Sequence, residues 1–171
     1  MFLRAALAKL DSDPAAARVA LTDANDELAF ALDELRELAR GLHPAVLSDR
    51  GLRAAVETLA GRMPVPVEAE ILDERLPETV EAATYYLIAE ALTNVTKYAH
   101  ATTVRVQVAP SDASIVVEVL DDGVGGADPA AGSGLRGLAD RVEALGGSLE
   151  MESPAGAGTS LRAEIPASLG V

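Results

Sequence analysis

The sequence predicts an α+β chain: a two-layer α/β sandwich, its mixed sheet covered on one face by helices, preceded by a partial antiparallel helical hairpin. Three observations carry this expectation. A seven-residue leucine repeat runs through the N-terminal part; the remainder alternates as helix, strand, helix, two strands, helix, two strands; and the apolar residues are aliphatic. Of 171 residues, 49% are apolar but only 3% aromatic. Packing therefore rests on Ala, Leu and Val, which suits helical hairpins and a small α/β domain.

The helical pattern over residues 14–42 opens with Asp13 as N-cap and Pro14 at the first helical position. Leu21, Leu28, Leu35 and Leu42 recur every seventh residue, with Ala24, Ala31 and Leu38 three further on. That is an a/d seam over about three heptads, and small Ala at d suits close approach in a bundle or dimer. Residues 2–10 read as the end of another helix, which the turn Asp11-Ser12-Asp13-Pro14 folds back as a hairpin. Gly41 stops the long helix, and His43-Pro44 enforces an extended residue before the proline. Residues 1–43 are thus expected to form the helical unit, 44–51 a linker and 52–171 the sheet domain.

Within that domain, 52–62 reads as a short amphipathic helix, and 65–72 alternates Val65, Val67, Ala69 and Ile71 as an edge strand does. A long helix is expected over 78–99, with Val80, Thr84, Leu87, Ile88, Ala91 and Val95 on one side. Strands at 103–109 and 114–121 join through a Pro110-Ser111-Asp112 turn into a hairpin. A Gly/Ala/Pro-rich loop at 123–133, a helix at 135–145 closed by Gly146-Gly147, and strands at 148–153 and 159–165 complete the order.

Charge and composition narrow the function. A formal charge of −13 repels phosphate backbones and argues against sequence-independent nucleic-acid binding. The absence of cysteine excludes a disulfide framework and thiolate metal sites and fits a reducing, cytoplasmic setting. No apolar stretch approaches the roughly 20 residues that span a bilayer, and the N-terminus lacks a signal-peptide pattern. The chain is expected to be soluble with no membrane contact of its own; any anchor of a parent protein lies outside this sequence.

Four elements carry chemistry. Glu90, Asn94 and Lys97 stand at i, i+4 and i+7 on the long helix, within roughly 60° of one another. Asn offers an oxygen to a hard cation, Lys neutralises phosphate, and a carboxylate holds a water or accepts a proton, a set suited to Mg-bound triphosphate. On spacing alone, a solvated helix face describes the triplet as well. Asp121-Asp122-Gly123-Val124-Gly125-Gly126 lies where a strand ends in a loop. Its glycines permit close backbone approach, and an aspartate at the strand terminus accepts a hydrogen bond from an exocyclic amine such as adenine N6. Asp128 is the only other acid in that loop, too few oxygens for an all-protein calcium site. Gly132-Ser133-Gly134-Leu135-Arg136-Gly137 runs into a helix and so offers free N–H groups to an anion, without the Lys-Ser/Thr of a P-loop. Gly158-Thr159 opens the last strand, where a hydroxyl can reach a small ligand, although a turn glycine before a β-favouring threonine explains the pair equally.

With these residues in place, nearly the whole chain resembles the sensor histidine kinases of the nitrate-sensor-like class, which signal to response regulators with helix-turn-helix output domains. The run from Glu90 through Asn94 and Lys97 to Ala99 resembles that family's N-box. Asp121 to Gly126 resembles its first glycine box, Gly132 to Val142 its second, and Gly158-Thr159-Ser160-Leu161 the closing strand of its ATP domain. The resemblance implies a Bergerat-type sandwich, shared with gyrase and heat-shock chaperone ATPases, with a lid around 128–133. It further implies ATP and Mg2+ as cofactors. Asn94 is then expected on Mg, Lys97 and Tyr98 at the phosphates, Asp121 on adenine N6 and Thr159 near adenine. Gly123 and Gly125 shape the pocket, while Gly134, Leu135 and Gly137 serve the lid hinge and phosphates. Glu90 is the candidate general base by analogy with the gyrase-like ATPases.

Residues 35–44 resemble the second helix of the dimerisation and phosphotransfer unit and its exit, which implies a homodimer through these helices in the parent protein. The family's acceptor histidine, followed by an acidic residue early in the first helix, has no counterpart here. The only histidines are His43, a helix-terminating residue beside a proline, and His100, at the end of the ATP-site helix. The chain is accordingly expected to be an ATP-binding kinase fragment that does not phosphorylate itself. An anti-sigma-type serine kinase is the nearest alternative, disfavoured by the heptads, and a dimerising module that has lost nucleotide binding is the non-enzymatic one.

Overall fold

A computed structural model describes residues 45–127 and 133–167, with side chains from 137 onward in the second stretch. The expected helical hairpin, His43 and the lid residues 128–132 lie outside the described residues. The described elements belong to one compact unit, Pro44–Val171. In order they are α1 (Ala45–Ala60), β1 (Val67–Ile71), α2 (Glu78–Asn94) with a π-helical turn (Val95–Ala99), β2 (Val104–Ser111), β3 (Ser114–Asp121), α3 (Ser133–Ala144), β4 (Ser148–Glu152) and β5 (Thr159–Pro166).

The five strands form one mixed sheet in the order β1-β2-β3-β5-β4. β1 pairs parallel with β2 and every other neighbour is antiparallel. Alternation decides which face meets the helices. Val104, Val106 and Val108, Ile115, Val117 and Val119, and Leu161, Ala163 and Ile165 are all buried. They pack with Val80, Leu87 and Ile88 of α2 and Leu138 and Val142 of α3 into one core. The other face carries most of the polar side chains: Glu70, Gln107, Glu118, Arg162 and Glu150 form one continuous cross-strand row, beside the apolar Val116 and Leu120. Arg162–Glu118 and Arg105–Glu68 pair across neighbouring strands on this face.

The stretch expected as a linker is helical instead. Residues 45–50 belong to α1, with Leu47 fully buried, and the break falls on Gly51 (φ 81°, ψ 179°). A proline restricts the residue before it but is compatible with a helix start, so Pro44 gives no reason for 45–50 to be extended. Leu47 gains burial by coiling. Gly51 then lets the chain turn without a Cβ penalty, and the Arg75 side chain lies over it, its Cδ 3.2 Å from where a Cβ would stand. Arg75 is held there by Glu81 of α2, to which it donates two hydrogen bonds of 2.8 and 3.0 Å.

The hairpin turn also sits later than expected. Pro110 pairs with Ile115 inside the ladder, and the turn is Asp112-Ala113, with Asp112 at φ 49°. The β1 ladder ends at Ile71↔Val108, so at Pro110 β2 has a free edge where a missing N–H is tolerated. Aspartate accepts the left-handed conformation more readily than most residues.

Candidate functional site

The site assembles at one end of the sheet. β1 runs from Val67, level with Val104 and Asp121, to Ile71, level with Val108 and Val117. α2 therefore begins at the far end and returns to finish beside Asp121, while α3 leaves the Asp121 end and finishes at Ala144, just before Gly147, which lies against Glu164 and Ile165. α2 and α3 are antiparallel. The carboxyl end of α2, the glycine loop after β3 and the amino end of α3 consequently share one edge of the domain.

On α2, Glu90 and Asn94 are half-buried, whereas Lys97 and Tyr98 are exposed. The helix is α-type only to Asn94, after which Val95–Ala99 forms a π turn and His100 reverses the chain at φ 51°. A π turn advances fewer degrees per residue than an α turn, so Lys97 departs from the i+7 position an α-helix gives it. Buried Val95 and Ala99 anchor this wider turn to the core, and it carries Tyr98 outward to 67% exposure.

Asp121 ends β3 directly opposite Thr159 of β5, so both side chains project from one face of the sheet. Asp121 Oδ1 accepts the Gly123 N–H at 2.8 Å, and the Thr159 hydroxyl shares a 2.9 Å hydrogen bond with Ser153. Gly123 is fixed by close approach: a Cβ there would stand 2.3 Å from the Ala99 carbonyl oxygen. Gly125 sits at φ 60°, where a Cβ would fall 2.1 Å from the Pro154 carbonyl oxygen. Backbone hydrogen bonds stitch the loop on both sides, from Val124 N–H to Ala99 O at 2.8 Å and from Gly126 N–H to Ser153 O at 2.8 Å.

Asp122 turns elsewhere. Its carboxylate accepts the Thr102 hydroxyl and the Thr102 and Thr103 N–H groups, at 2.7 and 3.0 Å for the latter two. The Thr102 hydroxyl first, then the Thr103 and Thr102 amides, hold this carboxyl below the usual carboxylate range. Adjacent aspartates thus divide the work: Asp122 ties β3 to the segment entering β2, and Asp121 faces the loop.

α3 begins at Ser133, so Gly134, Leu135 and Gly137 occupy its first two turns. Leu138 and Val142 are buried, and the Arg141 guanidinium lies 5.3 Å from the centre of the Tyr86 ring on α2. The structure therefore brings Asn94, Asp121, Gly123, Gly125 and Thr159 to one edge, with the α3 amino end. Sequence reasoning missed Asp122, Ser153 and the Tyr86–Arg141 contact. The acidic doublet hinted at Asp122; nothing local marks Ser153, whose role depends on the β4–β5 register.

A single sheet with helices on one face and a glycine-cradled rim between two helix ends defines a nucleotide-binding sandwich. Residues 79–169 match the family described as histidine kinase-, DNA gyrase B-, and HSP90-like ATPases, and the chain belongs to that family. It is 32% identical over 145 residues to the oxygen sensor histidine kinase NreB of Staphylococcus carnosus (strain TM300), covering 79% of this chain and 42% of NreB. It is 28% identical over 143 residues to the sensor histidine kinase LiaS of Bacillus subtilis (strain 168), covering 80% of this chain and 40% of LiaS. The chain thus spans less than half the length of either relative. Among solved structures, the histidine kinase domain of the Erythrobacter litoralis EL346 blue-light activated histidine kinase superposes with a TM-score of 0.57 at 25% identity, covering 69% of this chain and 58% of that one.

Proposed function

We propose that this chain is the ATP-binding catalytic part of a two-component sensor histidine kinase, with the adenine end of ATP at Asp121 and Thr159 and the triphosphate between Asn94, Lys97 and the amino end of α3. The facing pair Asp121–Thr159, beside a loop whose glycines leave room for no side chain, carries this reading. An adenine amine donates to the Asp121 carboxylate, and the Thr159 hydroxyl completes the polar rim. Tyr98 and Lys97 stand at the phosphates, and Gly134 and Leu135 supply a helix start with free N–H groups, with Gly137 in the turn behind them.

Magnesium fits this donor set as a shared ligand. Among the described residues no cluster of three or more His, Asp or Glu side chains could hold a metal, and Mg2+ in phosphoryl-transfer sites takes only one or two protein groups, the rest coming from phosphate and water. The Asn94 side-chain oxygen would hold such an ion, which would supply charge neutralisation at the phosphates; the γ-phosphoryl is transferred from ATP, leaving ADP, to a nitrogen of an acceptor imidazole. Glu90, one turn before Asn94, holds water or accepts the imidazole proton. The acceptor lies on helices of the dimerisation unit, and the phosphoryl group passes on to an aspartate of a response regulator with a helix-turn-helix output domain. On this reading the parent protein works as a homodimer with its catalytic part in the cytoplasm. Among the described residues no helix is long and apolar enough to cross a membrane.

Titration with a fluorescent ATP analogue tests this. Binding is expected in the native chain and a loss of at least roughly tenfold in Asn94→Asp or Asp121→Asn, since each leaves a polar group misplaced at the ligand. Equal affinity in all three overturns the site and leaves a dimerising module. Stable radiolabel from γ-labelled ATP on the isolated chain is not expected, because neither His43 nor His100 matches the acceptor.

A further inference from the structure

We infer that Tyr86 and Arg141 are positioning residues for the triphosphate: their contact fixes the register of α3 along α2, so that the amino end of α3 stands level with Asn94. The inference rests on the nucleotide reading above and assigns work to two residues outside its contacts.

Tyr86, Glu90 and Asn94 are four residues apart and so share one face of α2. From Tyr86 to Asn94 is a rise of roughly 12 Å, and from Arg141 back to Gly134 roughly 10 Å. The helices are antiparallel, so pinning Arg141 at Tyr86 brings the first turn of α3 opposite Asn94. Gly134, Leu138 and Arg141 fall within roughly 60° of one another around α3, with Leu138 buried. The side of α3 turned toward α2 thus carries a glycine at its amino end, where the backbone itself can meet an anion.

Leu138 and Val142 supply adhesion, but the hydrophobic driving force is itself non-directional. A guanidinium is drawn to a ring only within about 6 Å of its centre, which ties Arg141 to one level of α2. The ring is itself oriented by Tyr85, whose centroid lies 5.4 Å away in an edge-on arrangement of 76°. The adenine end has no such dependence, because Asp121 and Thr159 are fixed by the β3–β5 ladder. Loss of the pin should therefore weaken the phosphate end alone.

Competition binding of ATP and AMP to the full chain, with melting temperatures, tests this on Tyr86→Leu, Tyr86→Phe and Arg141→Gln. Expected are a loss of roughly threefold to tenfold in ATP affinity for Tyr86→Leu and Arg141→Gln, AMP affinity unchanged within about twofold, and near-native ATP affinity in Tyr86→Phe, which keeps the ring face. ATP affinity unchanged in Arg141→Gln, or ATP and AMP weakening together, overturns the inference. A native chain that binds neither nucleotide overturns the ATP reading itself, a result separable from any effect of the variants.

Discussion

Asp121 and Asp122 share chemistry and neighbours yet serve different ends, and the difference lies in what the chain brings to each. Asp122 receives the Thr102 hydroxyl and two amides from 19 and 20 residues upstream; Asp121 receives the amide two residues on. Because the folded-state pKa of Asp122 lies below its ordinary value, its contribution to stability is full above the ordinary carboxylate range and is lost as pH falls toward the folded value. Asp122→Asn is accordingly expected to lower Tm by a few degrees at neutral pH, roughly the effect of one weakened hydrogen-bond cluster. In melting curves the gap to the native chain should stay constant above about pH 5 and close below about pH 4. Asp121 was legible from its place at a strand end, and Gly123 from its place in the loop. The task of Asp122 was not, since Thr102 and Thr103 reach it only through the β2–β3 pairing.

At the scale of elements, the apolar stripe of α2 could be read directly: Val80, Thr84, Leu87, Ile88, Ala91 and Val95 are all buried. Helical periodicity is a local signal that burial on one face amplifies. What it could not reveal is the switch from α to π after Asn94, at whose end the Ala99 carbonyl accepts the Val124 N–H of the glycine loop. Nor could it reveal that residues 45–50 coil, because the reward is burial of Leu47 by distant residues. The same holds for Glu81, a first-turn residue only 1% exposed. Its carboxylate is matched by Arg75 and by the Leu76 N–H at 3.1 Å, and Arg75 in turn covers Gly51. The Glu81 hydrogen bond and charge together raise the Arg75 pKa above its usual value. Arg75→Leu would leave that buried carboxylate without its cation. Urea denaturation is expected to show a lower midpoint for Arg75→Leu than for the native chain, with Arg75→Lys recovering part of the difference.

For the whole molecule, the reading of one sheet with helices on one face was accessible because element order, the β2–β3 hairpin and aliphatic composition all point to it. The interlacing was not: β5 inserts between β3 and β4, and only that insertion sets Thr159 opposite Asp121. The charge of −13 acts at this scale too. Surface repulsion opposes compaction and is screened by salt, whereas the Arg75–Glu81 pair, buried on the Glu81 side, is screened less. Raising sodium chloride from about 20 mM to about 300 mM is therefore expected to raise Tm by a few degrees, the Debye length falling below roughly 10 Å. A fall in Tm would show that attractive surface pairs dominate.

The polar outer face has its densest charge at its margins. β1 and β4 are the two rims of the sheet, and each sets two glutamates outward, Glu68 and Glu70 on one, Glu150 and Glu152 on the other. An exposed strand margin is a template for a second molecule, and like charges along it make the template unusable. These four side chains add a local repulsion at the rims to that of the overall charge of −13. As the medium approaches the isoelectric point near 4.4, the net charge vanishes and the repulsion goes with it, so the rims are expected to lose this protection in acid.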